Sequence, residues 1–282
     1  MKIASAHLTE LLNLTARPQF VNGKPHQQVI GCVLRPLGDG FVSTTSLVRD
    51  GKTSLSHFIR PAIIEEGDEA FVIPDIERLL GVISAYTGEI TIRQDNSGHT
   101  AMLRVKGSRR QTSLVAESGA LAFPHTSDTI AEWEQKSIAL SEQINSSLGT
   151  YTMRDGSKRE PFCSITISCS DLYEALKTDT LNSQKLNRYT FHSRDDKKMY
   201  VVTGESLKGQ TEYELCNLYG GKDGEALLWQ STYEGGLDRV VASMNGDVTL
   251  HFLDFRPEGQ GIRLVAGFDC ESWVYQAAIL MR

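Results

Sequence analysis

The sequence predicts an α+β protein built from two topologically similar halves, each with two short helices packed on one face of antiparallel β-sheet. Three features point there. Short apolar runs with period-two alternation recur along both halves. Four stretches carry apolar residues at i, i+3 and i+4 spacing. The order strand, helix, several strands, helix, three strands occurs twice, although the residues themselves are not obviously repeated.

In the first half, Lys2 to Ala6 leads into a helix whose stripe is Leu8, Leu11, Leu12 and Thr15, and Pro18 ends it. Strands are expected at Gln28 to Arg35, Phe41 to Ser46, Thr53 to Ile59, Ala62 to Ile64 and Ala70 to Ile73. Turn signals separate them, including Gly38-Asp39-Gly40, Asp50-Gly51 and Glu66-Gly67-Asp68. A second helix places Ile76, Leu79, Leu80 and Ile83 on one face, with Pro74 near its first turn. Strands at Glu89 to Asp95, Thr100 to Lys106 and Arg109 to Glu117 complete the half.

Residues 119–161 are polar and read as a long connection, with a helical patch at Thr129 to Ser146 whose apolar stripe is imperfect. The first pattern then returns. Phe162 to Cys169 is a strand, and Ser170 to Lys177 a helix with Ser170 as its N-cap. Strands follow at Arg188 to Ser193, Met199 to Thr203, Thr211 to Leu218 and Ala226 to Gln230. Leu237, Val240, Val241 and Met244 mark a fourth helix, and Asp247 to Leu253, Gly261 to Gly267 and Ser272 to Leu280 the closing strands. The expected domains are therefore 1–118 and 162–282, joined by 119–161.

Composition narrows the function. Forty per cent hydrophobic and 23% charged residues is globular composition, and no apolar run approaches the length that spans a bilayer. No signal-peptide core is present, so the expectation is a soluble protein of the cytoplasm or cell interior, in nucleoid or nucleus according to host. Cys32, Cys163, Cys169, Cys216 and Cys270 show no paired spacing, and Cys163 and Cys169 fall on one strand face as packing residues do. The seven histidines sit in no metal-binding or nucleophile motif, and neither phosphate-binding glycine pattern occurs. The expectation is no enzyme, no catalytic residue, no metal and no cofactor. The formal charge of −6 is opposite to that of a simple basic nucleic-acid-binding domain.

Phe71-Val72-Ile73-Pro74-Asp75-Ile76-Glu77-Arg78-Leu79-Leu80, Gly88 to Arg93, and the closing run Asp247 to Phe252, Asp254-Phe255-Arg256-Pro257 and Trp273 to Ala277 resemble a DNA sliding clamp of the proliferating cell nuclear antigen (PCNA) family, archaeal or viral in type. The resemblance covers both halves and rests mostly on the order of elements. It implies a homotrimeric ring with helices lining the hole and sheets outside. Its partners would be duplex DNA, a DNA polymerase, an ATP-dependent clamp loader, and other proteins bearing short aromatic clamp-binding motifs. A heterotrimeric checkpoint-type subunit and a structural virion protein of similar α+β duplication are the alternatives.

The same resemblance implies three sets of residues. Asn13, Arg17, Arg78, Lys177, Lys185, Arg188 and Arg239 would face DNA. Leu47, Val48, Leu121, Phe123, Pro257, Tyr275 and Ala277 would form a pocket for partner motifs. The strand with Arg109, Arg110, Thr112 and Leu114 would pair with the Glu212-Tyr213-Glu214 strand of the next subunit, with the opposite charges helping to set register. Charge splits unevenly: residues 1–118 carry 13 basic and 12 acidic groups, residues 119–161 carry 4 and 6, and residues 162–282 carry 12 and 17. A ring that holds DNA topologically needs only a few cations facing its hole.

Overall fold

The computed structural model describes residues 1–17, 20–21, 24–25, 31–48, 54–95, 102–116, 129–177, 188–205, 209–218, 228–234, 236–269 and 271–278. Two compact units divide the chain. The first comprises Met1–Gln19, Pro25–Gly51 and Leu55–Glu142, and the second Phe20–Lys24, Lys52–Ser54 and Gln143–Arg282.

In chain order the first stretch contains β1 (Lys2–Ala4), α1 (Ser5–Ala16), β2 (Phe20–Val21), β3 (Lys24–Pro25), β4 (Cys32–Leu37), β5 (Phe41–Val48), β6 (Ser54–Pro61) and β7 (Phe71–Ile73). Next come α2 (Ile76–Ile83), β8 (Glu89–Asp95), β9 (Met102–Lys106), β10 (Gln111–Val115) and α3 (Ile130–Ser141). The remainder contains β11 (Ile144–Asn145), β12 (Thr150–Thr152), β13 (Lys158–Arg159), β14 (Cys163–Ser168), α4 (Cys169–Leu176), β15 (Arg188–Ser193), β16 (Lys198–Glu205) and β17 (Gly209–Asn217). It ends with β18 (Gln230–Glu234), α5 (Leu237–Val241), β19 (Asp247–Asp254), β20 (Ile262–Gly267) and β21 (Trp273–Ala277).

Within the first unit the strands run β1-β8-β9-β10 and β6-β5-β4-β7; within the second they run β14-β19-β20-β21 and β17-β16-β15-β18. Exchanging β1 for β14, β4–β7 for β15–β18 and β8–β10 for β19–β21 converts one order into the other. Each half thus holds two four-stranded sheets where the sequence suggested one large one. The strand before the second helix (β7, β18) turns back to pair with β4 or β15, which closes one sheet. The strand after that helix (β8, β19) starts the other against β1 or β14.

One helix in each unit ties the two sheets together. α1 packs on β1, β5 and α2, and buries Leu8, Leu11, Leu12 and Leu14. α4 packs on β14, β16, β17 and α5, and buries Leu172, Ala175 and Leu176. Each leucine so buried contributes roughly 1.5–3 kcal/mol. Of two helix starts, one differs from expectation. α2 is capped by Asp75, which accepts from the Arg78 amide, and Pro74 lies just ahead of that cap, near the first turn as expected. α4 is capped by Ser168, not Ser170: the Ser168 hydroxyl accepts from the Asp171 amide, and Ser170 already has helical position. The strand expected at Ala226 to Gln230 lies instead at β18, where alternation buries Ser231 and Tyr233.

The polar stretch 119–161 has its own structure. Thr129 and Glu132 form a reciprocal capping box at the start of α3. The helix stops at Ser141, short of the expected Ser146, because Ile144 enters β11. α3 lies on β4, β5 and β7, buries Trp133 and Ser137, and is followed by Glu142, which pairs with Arg35 of β4 at 2.9 Å.

This covering explains an odd run. Ser43, Thr44, Thr45 and Ser46 are all buried, although alternate residues of a strand point to opposite faces. On one face Thr44 bonds Thr15 of α1, hydroxyl to hydroxyl, at 2.7 Å. On the other, which carries Arg35, Thr45 Oγ1 lies 2.8 Å from His57 Nδ1.

Burial, with the Arg35 charge adding to it, pulls the His57 pKa down to about 4. An unfolded histidine titrates near 6.5, so as pH falls the unfolded chain takes up this proton first. The associated stability is complete above about pH 6.5 and is lost as pH falls toward 4, on the order of 1–2 kcal/mol at pH 5. Urea unfolding between pH 7.5 and 4.5 should show this decline, and H57Q should flatten it. His251, lowered in the same direction by burial, leaves a smaller residual slope.

Candidate functional site

Two of the strands that end sheets lie at the site. β10 closes β1-β8-β9-β10, and β17 closes β17-β16-β15-β18. Along β10, Thr112 and Leu114 pair with buried Val105 and Leu103 and share their face; Gln111, Ser113 and Val115 point the other way and are exposed. Tyr86 holds this strand from beneath. Its hydroxyl donates to the Val105 carbonyl at 3.0 Å and lies 2.8 Å from Thr112 Oγ1. Arg109 and Arg110 sit in the exposed turn just before β10, with the Arg110 guanidinium 5.7 Å from the centre of the Tyr86 ring.

Along β17, Thr211 and Tyr213 pair with Thr203 and Val201, which are buried. Glu212 and Glu214 occupy the opposite face, and both carboxylates have partners within the chain. Glu212 takes Arg194 and, at 3.1 Å, His192 Nε2. Glu214 takes Lys198 at 2.8 Å and holds that ammonium's pKa above its ordinary value. Tyr200 completes the group: it stacks on His192 at 5.5 Å, lies under Arg194 at 4.5 Å and donates to Asp196 at 2.5 Å.

The residues expected to face DNA are dispersed over the helices. Asn13 and Arg78 are exposed on α1 and α2, and Arg188 is exposed at the start of β15. Arg17 and Arg239 are half-buried. Lys177, exposed at the end of α4, pairs with Glu174 at 2.9 Å. Lys185 lies outside the described residues. The same helices carry Glu10, Glu77, Asp171, Glu174 and Asp238, with Glu10 tied to Arg60 of β6 at 2.5 Å. Among the described residues, these helices with their C-terminal caps carry four cations, Arg17, Arg78, Lys177 and Arg239, against those five carboxylates.

Of the expected pocket residues, Leu47 and Val48 end β5, and Leu121 and Phe123 lie outside the described residues. Pro257 is exposed in a short 3-10 turn, while Tyr275 and Ala277 lie on β21, Tyr275 buried. Around Tyr275 the structure shows a group that sequence reasoning missed. The Arg263 guanidinium stands 4.0 Å from the Phe255 ring centre, 5.4 Å from Tyr151 and 5.7 Å from Tyr275. Arg159 lies 5.4 Å over Phe255 and pairs with Glu258. Tyr151 comes from β12, so the small sheet β11-β12-β13 lies against β19-β20-β21. Nothing in the local sequence of Thr150-Tyr151-Thr152 distinguishes it from an ordinary turn-flanking strand. Among the described residues no group of three or more His, Cys, Asp and Glu could hold a metal, and no helix is long and apolar enough to cross a membrane.

No protein-family model and no curated protein matches this sequence. Solved structures do match its backbone along the whole chain. A DNA polymerase sliding clamp from Pseudomonas aeruginosa aligns with 100% of this chain and 66% of its own, at a TM-score of 0.63 and 13% identity. The beta sliding clamp of C. crescentus gives the same four values. A DNA polymerase III subunit beta DnaN sliding clamp from Bartonella birtlesii aligns with 100% of this chain and 65% of its own, at 0.61 and 11%.

The fold is that of a DNA sliding clamp. The chain spans about two thirds of the length of the clamps it matches. These matches are bacterial beta subunits, whereas the sequence resemblance pointed to the PCNA type. The clamp fold satisfies both, and at 11–13% identity the likeness is one of backbone.

The covering of the second clamp unit depends on one glycine. Gly149 has φ +65°, and a Cβ there would stand 2.1 Å from His251 Cγ. His251 cannot retreat easily, since Ser164 Oγ holds its Nδ1 at 2.8 Å. G149A should cost about 2–4 kcal/mol in urea unfolding, from steric overlap added to left-handed strain. Gly156, at φ +83° with nothing within 4 Å of its Cβ, is the control: G156A should cost only about 1 kcal/mol. Equal losses would show that the His251 contact is not limiting.

Proposed function

We propose that this chain is a subunit of a ring-shaped sliding clamp, a non-enzymatic processivity factor that encircles duplex DNA and tethers a DNA polymerase and other replication or repair proteins. The observation that carries the reading is the duplicated unit: two sheets and two helices in the same connection order, twice, in a chain whose whole backbone aligns with clamps. Each unit also ends in an edge strand, β10 or β17, on which a further copy can add. With two units per chain and about two thirds of a beta clamp's length, three copies supply as much ring as two beta subunits. This favours the PCNA-type homotrimer, with the helices inward.

The electrostatics set how DNA would be held. Asn13, Arg17, Arg78, Lys177, Lys185, Arg188 and Arg239 are the proposed DNA-facing set, but neighbouring carboxylates offset most of their charge. Few counterions are then released, and the ring retains DNA by enclosure rather than by grip. The partner site would include Pro257, Tyr275 and Ala277 with Leu47, Val48, Leu121 and Phe123, and loading would fall to an ATP-dependent loader.

Protein loaded on a nicked circular DNA should stay bound through gel filtration at about 0.5 M salt and leave when the circle is cut. On linear DNA its affinity should fall with salt at a log–log slope no steeper than about −3. Retention that ignores the cut, or a slope near that of a gripping protein, would contradict enclosure.

A further inference from the structure

The proposed partner site raises the question of what a partner must carry; the inference here rests on that reading and answers it from one side chain. Arg159 and Arg263 stand against Phe255, and Arg256 follows it in sequence. Two of these three cations have carboxylates of their own. Arg159 pairs with Glu258, and Arg256 with Asp254 at 2.7 Å. Arg263 differs. It bonds the side-chain carbonyl of Gln260 and the Tyr275 hydroxyl, both neutral, and among the described residues no carboxylate pairs with it.

A half-buried guanidinium with neutral partners has surrendered hydration without gaining a counter-charge. The faces of Phe255, Tyr151 and Tyr275 offset part of that loss and immobilise the group. The site is open on one side. Arg263, Tyr151 and Ala277 are half-buried, Pro257 is exposed, and Ala277 lies directly opposite Arg263 across the β20–β21 pair. A segment laid here meets apolar surface and one uncompensated cation. A polyanion such as a nucleic-acid backbone suits it less well, because the carboxylates of Asp254 and Glu258 stand in the same cluster.

We propose that Arg263 determines specificity at this surface by receiving one carboxylate of an extended partner segment. The segment carries an Asp or Glu beside a large apolar side chain, which rests on Tyr151, Pro257 and Ala277. Because the rings already hold the guanidinium, pairing orders little more of the protein.

Fluorescence anisotropy of the full chain with labelled short peptides tests this. Each peptide has a Leu-Phe centre, flanked on both sides by Glu in one, Gln in the second and Lys in the third. The native protein should bind the Glu peptide at least about tenfold more tightly than the Gln peptide at about 0.15 M NaCl. R263Q should bring the two within about twofold, and R263E should prefer the Lys peptide, a reversal that a folding defect cannot produce. R154Q, at an exposed arginine ahead of β13, should keep the native preference. Equal native affinities, no binding of either peptide at about 1 mM, or a preference that survives R263Q would overturn the assignment. Tighter Arg263-dependent binding of a short oligothymidylate than of the Glu peptide would also overturn it. Retention on nicked circular DNA reads the clamp proposal separately: retention without a peptide preference would strike this assignment alone.

Discussion

Main-chain amides and carbonyls on the last strand of a sheet have no partner inside that sheet, and this constraint governs the protein's surface. Here β10 in one unit and β17 in the other are two such strands. Evolution commonly blunts such edges with charge or proline. β17 does carry Glu212 and Glu214, but Arg194 and Lys198 pair with them, and Tyr213 stays exposed between them. On β10, Tyr86 fixes the strand through Val105 and Thr112 rather than covering it. Both edges are ordered and left open, as the proposed ring requires.

The remaining surfaces follow from covering the sheets. Helices α1 and α4 occupy one face, and elements from residues 129–159 occupy parts of the other. α3 lies on β4, β5 and β7 in the first unit, and β11–β13 on β19–β21 in the second. This use of the middle stretch accounts for its length. It also accounts for the hydroxyl-bearing residues at Ser43 to Ser46, which between two helices find partners in the Arg35 carbonyl, Thr15, His57 and the Gly31 carbonyl rather than in water. Carboxylates on α1, α2, α4 and α5 offset the cations there, so the proposed enclosure of DNA is compatible with the overall −6.

Much of this architecture was legible in the sequence because it depends on periodicity. The stripe Leu8, Leu11, Leu12 and the alternation in Asp247 to Leu253 can each satisfy only one kind of element. The duplicated order followed from them, since neither repeat needs residue identity to be seen. What stayed hidden depended on contacts distant in sequence. Ser168, not Ser170, caps α4 because its hydroxyl is the one that reaches the Asp171 amide in the folded chain. Trp133 reads as an imperfect stripe until the face of β4 and β5 is available to bury it. The cluster of Arg263 with Tyr151, Phe255 and Tyr275 joins residues more than a hundred positions apart, beyond any local pattern.

The central claim is closure: identical chains pairing β10 to β17 until neither strand is left open. Negative-stain electron microscopy of the purified protein tests it most directly. The account predicts closed rings of six similar lobes around a central hole, with a mass of three 31.2 kDa chains. Isolated two-lobed particles, or open filaments in which the edges pair without closing, would contradict it.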